Sequence, residues 1–130
     1  MRYQYEIRKM KRLSIILIIL CSGCAAHFGQ DWTKADTVRQ AAGTALHAVD
    51  WGQTLDIVKH SDSFNEKSPF LGSRPSVQAV NWHFASRLIL QSVIPPMLKP
   101  RYRKLYQIGW IGYEAYWVGN NFSIGLKINF

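Results

Sequence analysis

Cysteine is nearly missing: of 130 residues only Cys21 and Cys24 carry a thiol, so the chain beyond them cannot build a disulfide framework or a thiolate metal site. Long apolar runs are missing as well. The longest unbroken aliphatic stretch, Ile15 to Leu20, falls far short of the roughly 20 residues that a membrane-spanning helix needs. No Gly-x-Ser-x-Gly elbow, phosphate loop or His-Glu-x-x-His pair occurs, and Gly109-Trp110-Ile111-Gly112 lacks the Lys-Ser/Thr that would follow in a nucleotide site. Nor is there a series of alternating ten-residue segments, which argues against a transmembrane β-barrel.

What is present begins with an address. Met10-Lys11-Arg12, the aliphatic run and then Cys21-Ser22-Gly23-Cys24 are the positive, apolar and small-residue parts of a secretory signal. Its end resembles the lipobox of bacterial lipoproteins: Ser22, Gly23 and Cys24 match it, and Cys21 stands where leucine is usual. The resemblance implies residues 1–23 as a signal peptide, with Met10 as an alternative start, and lipidation of Cys24. A lipidated tether then covers residues 24–34, and Ala25 after the cysteine implies an outer-membrane anchor facing the periplasm. Several acyl chains, each adding about 0.8 kcal/mol per buried methylene, would hold the protein at a membrane.

The formal net charge of +8 overstates the basicity of the remainder. Five basic residues and one acid precede Cys24, so residues 24–130 carry only +4, which argues against nucleic-acid binding. Five Trp, four Tyr and six Phe follow Cys24, a composition suited to a lipid–water interface or to an aromatic core.

Residues 35–130 read as one domain of about three helices. The first is expected from Ala35 to His60, capped by Asp36, with Ala41, Ala45, Ala48 and Gly52 forming a small-residue face. Turn and breaker residues fill His60 to Pro75. Ser76 then caps a second helix that Pro95-Pro96 should stop. The third is expected from Tyr102 to about Val118. Around its start lies the strongest charge cluster, Lys99, Arg101, Arg103 and Lys104, which with Trp110 and Trp117 is assigned to a membrane interface. Phe122, Ile124, Leu126, Ile128 and Phe130 alternate with smaller or polar residues and predict a short terminal strand or an extended tail. The expected fold is therefore mainly α: a small membrane-associated bundle with that tail.

Asp50-Trp51-Gly52-Gln53-Thr54, Glu66-Lys67-Ser68-Pro69-Phe70-Leu71-Gly72 and Arg74-Pro75 resemble small uncharacterised bacterial and phage membrane proteins. Those carry an Asp-x-x-Gln-Thr helix and a Glu-x-Asn-Pro-x-Leu-Gly loop, here with Ser68 for the asparagine. The resemblance implies a few membrane-associated helices and, through its phage-borne members, a factor that modifies the host envelope.

His47, Asp50 and Thr54 share a helical face bordered by Gln53. With His83 and Glu114 they form a candidate polar cluster, chemically adequate for an acid/base pair or a divalent metal but also for hydrogen bonds that fix helix register. No metal, cofactor or catalytic residue is assigned from this spacing. The expected function is a non-enzymatic binding or envelope-modifying lipoprotein whose partners are membrane lipids and an envelope protein. A small membrane enzyme or metal protein using the cluster is the alternative; a phage lysis component is a further one, weakened by the lack of a long heptad region.

Overall fold

The computed structural model describes residues 31–60, 70–72 and 74–130; the expected signal peptide, with Cys24, and residues 61–69 and 73 lie outside the described residues. Helix α1 spans Lys34–Lys59, α2 Val77–Met97 and α3 Pro100–Ser123. As expected, the described chain is a small, mainly helical bundle.

Local chemistry sets the helix ends. Thr33, rather than Asp36, is the N-cap of α1: its hydroxyl accepts from the Asp36 amide at 3.1 Å and the Asp36 carboxylate accepts from the Thr33 amide at 2.9 Å. This reciprocal box satisfies two donors that a helix start leaves open. Ser76 caps α2 as its sequence predicts, accepting from the Ala79 amide at 3.1 Å. Pro100 opens α3, where a missing N–H costs nothing.

Pro95-Pro96 do not stop α2, which runs on to Met97. Pro95 has no N–H for the Gln91 carbonyl four residues back, but the Gln40 side-chain amide of α1 donates to that carbonyl at 3.0 Å. A contact between helices thus replaces the lost backbone bond.

The chain runs up, down and up, so α1 and α3 are parallel. Partners across their seam are separated by 67 positions at three levels, Asp36 with Arg103, Gln40 with Gln107 and His47 with Glu114, which fixes a single register. Positions 36, 40, 43, 47, 50, 54 and 57 of α1 step by four and three, as do 103, 107, 110, 114, 117 and 121 of α3. That is the spacing of a coiled-coil seam, but with polar residues at most of the positions that usually hold leucine or valine. Gly43 admits the close approach, since a Cβ there would lie 3.0 Å from Gln91 Nε2 and 3.1 Å from Trp110 Cδ1.

The apolar core is small: Leu55, Val80 and Phe84, flanked by Trp51, Val58 and Leu71. Large apolar side chains instead lie outward, among them Trp82, Ile89 and Leu90 on α2 and Leu105, Ile108 and Tyr116 on α3. No helix among the described residues is long and apolar enough to cross a membrane.

The tail is extended, and no strand occurs among the described residues. The two-residue alternation from Phe122 is misleading at its start, because Phe122 and Ser123 still belong to α3. Gly125, at φ 88°, closes the helix: its amide donates to the Phe122 carbonyl at 3.0 Å and that of Leu126 to the Asn121 carbonyl at 3.1 Å. These are the two bonds of a Schellman motif. Only the residues beyond turn back along α1, burying Leu126.

Gly52 receives the tail. Its carbonyl accepts from the Asn129 amide at 3.1 Å, and a Cβ on it would lie 2.7 Å from Ile128 Cγ2. Asp56 accepts from the Lys127 amide at 3.0 Å and from the Asn129 side chain at 3.1 Å, which anchors the same segment.

Candidate functional site

The polar seam between the helices is the feature that sets this bundle apart. Unpaired buried polar groups cost about 1–3 kcal/mol each, and most members of the seam bond one another, although Gln91 Oε1 and Glu114 Oε2 are buried without a hydrogen-bond partner.

At the end where α1 and α3 begin, Arg103 holds three elements together and is 1% exposed. Its guanidinium donates to the Leu98 carbonyl at 3.0 Å and, at 3.1 Å, to the Pro95 carbonyl, which also accepts from the Leu98 amide at 3.0 Å where α2 ends. It also reaches Asp36 at 3.3 Å and lies 5.1 Å over the Trp32 ring. Asp36 further pairs with Arg39. Burial alone would raise the Asp36 carboxyl, but the Thr33 amide and hydroxyl, Arg39 and Arg103 outweigh it and hold it down to about 2. A pKa below the unfolded value means stability that is whole above about pH 4 and is lost as pH falls toward 2. The stability difference between wild type and Asp36→Asn, followed by far-UV circular dichroism in detergent, should therefore narrow over that window. A difference constant down to pH 2 would remove Asp36 as a source of acid sensitivity.

The next level joins amides. Gln107 Nε2 donates to the Asp36 carbonyl at 3.0 Å, Arg39 Nε to Gln107 Oε1 at 3.0 Å, and Gln91 Nε2 to the Thr44 hydroxyl at 3.3 Å.

Mid-bundle, Glu114 is fully buried and His47 is 1% exposed. His47 Nδ1 lies 2.9 Å from Glu114 Oε1 and Nε2 lies 3.0 Å from the Phe84 carbonyl. Both ring nitrogens thus face oxygen atoms, one of α3 and one of the α2 backbone. Arg87 of α2 donates to the same Glu114 oxygen at 2.9 Å, with its guanidinium 4.9 Å over Trp110 and 5.0 Å over Tyr113. One carboxylate therefore gathers all three helices.

The candidate cluster is brought together only in part. His47 and Glu114 meet; His83 reaches them through Arg87, whose Nη1 is 3.5 Å from its Nε2. Asp50 lies a turn further on, accepting from the Asn121 side chain at 3.0 Å. Thr54 and Gln53 are buried beyond it, and neither end of the Gln53 amide has a hydrogen-bond partner. Among the described residues no three His, Cys, Asp or Glu side chains are grouped to hold a metal ion.

The interface assignment divides as well. Lys99, Arg101 and Lys104 are exposed, whereas Arg103 is turned inward to Asp36 because the first turn of α3 places it at the seam. Trp110 packs against His47 at 5.6 Å between ring centres, with its indole nitrogen buried and unpartnered. Trp117, partly buried, meets the edges of Tyr113 and Tyr116.

Gln40, Arg87, Gln91, Gln107 and Asn121 belong to the seam although sequence reasoning did not single them out. Their signal was there in the four-and-three spacing, concealed because that spacing is ordinarily sought in apolar residues. Comparisons of the chain with protein-family models, curated proteins and solved structures find no match.

Proposed function

We propose that the protein is a lipid-anchored component of a cell envelope, of bacterial or phage origin, that acts by binding membrane and an envelope partner rather than by catalysis. The observation that carries this reading is the inverted distribution of side chains: a hydrogen-bonded polar seam inside, aromatic and aliphatic side chains outside. Water-soluble bundles bury their apolar stripe; a surface like this one favours an apolar environment. The seam's charged groups are engaged in holding helices together, which supports a scaffold whose outer face does the binding. The export signal and Cys24 support the envelope location.

Intact-mass spectrometry of membrane-extracted wild-type protein and Cys24→Ser tests the anchor. The expected result is a mass beginning at an acylated Cys24 that is lost in the variant. An unmodified mass beginning at Met1 or Met10 would overturn the lipoprotein reading.

A further inference from the structure

We infer that the three-helix unit sits across the hydrocarbon layer of a bilayer as one body, with rims of cations at its two ends meeting lipid phosphates on opposite faces. The inference rests on the membrane reading above and deepens it by naming the occupant of the outer surface and the depth of the bundle within it.

The first support is the placement of charge. At the end where α1 and α3 begin, Lys34, Lys99, Arg101 and Lys104 are exposed; at the other end Lys59 and Lys127 are exposed. Between the rims the helices carry only four Asp, Glu, Lys or Arg residues. Asp50, Asp56 and Glu114 are buried, and Arg87 is bonded to Glu114 beneath aromatic rings. Removing a charged group from water is tolerable where it is hydrogen-bonded or paired and turned inward: Glu114 pairs with Arg87, Asp50 accepts from Asn121, and Asp56 accepts from Lys127 and Asn129.

The second support is length. At 1.5 Å per residue, the stretch of α3 between Lys104 and its end at Ser123 is about 28 Å long, that of α1 from Gln40 to Val58 about the same, and α2 about 31 Å. The hydrocarbon core of a typical bilayer is about 30 Å thick. Mean hydropathy averages each helix over its inner and outer faces, so Gln107, Glu114 and Asn121 depress it for α3 although lipid would never meet them. A polar interior is therefore compatible with a lipid-facing exterior, although none of these helices would insert alone.

The third support is how the outer polar groups are satisfied. Ser86, Ser92 and Ser123 donate to the carbonyls of His83 at 2.9 Å, Leu88 at 2.8 Å and Asn120 at 2.7 Å, three or four residues back on their own helices. The exposed Asn81 side chain accepts from the Trp51 indole at 2.9 Å. The three serine hydroxyls thus need no water, which is the condition hydrocarbon imposes.

The test uses the full chain with Cys21 and Cys24 replaced by serine, so that each introduced cysteine is the single thiol, reconstituted in vesicles of phosphatidylethanolamine and phosphatidylglycerol. Ala48→Cys, Ile89→Cys and Ala115→Cys place a bimane label midway along α1, α2 and α3; Arg101→Cys and Lys127→Cys place it at the rims. Lipids brominated near the acyl-chain end should quench all three mid-helix labels more strongly than either rim label. The three positions are independent, so one misfolded variant does not decide the outcome.

Binding with quenching confined to one helix, or strongest for bromines near the headgroups, would mean that the bundle lies on the surface; the inference falls and the membrane reading stands. Vesicle binding without quenching at the three mid-helix labels would mean that protein, either a second copy or a partner, covers the belt, and again only the inference falls. No association with vesicles by the unlabelled wild-type chain would overturn both.

Discussion

Replacing Arg103 with methionine should lower the unfolding free energy by about 3–5 kcal/mol, the cost of breaking a buried ion pair from one side. Methionine keeps much of the apolar stem, so the loss is assigned to the guanidinium. Without it Asp36 loses one of its two cations, and the carbonyls of Pro95 and Leu98 lose a charged donor where α2 ends. The change should appear as a lower melting temperature in detergent. Gln at Lys99, Arg101 or Lys104, all exposed, should stay within about 0.5 kcal/mol of wild type. In a double-mutant cycle the combination of Asp36→Asn with Arg103→Met should cost less than the two single changes added together, since each removes the same contact. Equal effects at Arg103 and at its exposed neighbours would contradict its role as the clamp between helices.

That contrast also shows how far the sequence could be read. Four cations in six residues look alike as composition, and composition assigned them all to a surface. Only the register of α3 separates Arg103 from the rest, because the step from 103 to 107, 110 and 114 carries it onto the line of Glu114. The existence of the helices was legible, and Ser76 marks the start of α2 by local chemistry; α3, expected from Tyr102 to about Val118, runs from Pro100 to Ser123. Where sequence failed, the deciding partner was distant. Pro95 ends a helix unless another chain segment supplies a donor to the Gln91 carbonyl, and Gln40 is 51 positions from that carbonyl. The tail was read as starting at Phe122 because alternation takes no account of a helix that persists two residues into it. Of the five residues named for the polar cluster, His47 and Glu114 meet directly and His83 joins them through Arg87, whereas Asp50 and Gln53 lie further along α1. Gln107 and Asn121 did not stand out, because an amide at a seam position looks like any solvated amide until the facing helix is in place.

Glu114→Gln should be as damaging as the Arg103 change, for a complementary reason. The substitution keeps the shape of the side chain and deletes the carboxylate that His47 and Arg87 share, leaving the Arg87 guanidinium beneath the Trp110 and Tyr113 rings with no counter-ion. Removing one partner of a buried pair costs about 3–5 kcal/mol. Because the carboxylate joins α1, α2 and α3, the loss should fall on the cooperative unfolding of the whole bundle and not on one helix. Adding Arg87→Met to Glu114→Gln should recover part of that loss, since it removes a charge left uncompensated, and the coupling measured over the cycle should be about 1–3 kcal/mol. His47→Gln retains side-chain hydrogen-bonding capacity without the ring, and with Glu114→Gln it should show coupling of the same sign. A Glu114→Gln variant within about 0.5 kcal/mol of wild type would mean that no charge is shared at this level, and the seam would then hold its register through neutral hydrogen bonds alone. The reading of the bundle as an inside-out scaffold depends on the first result: ion pairs turned inward at mid-bundle leave an uncharged outer surface at the same height, and that surface is what an apolar environment would meet.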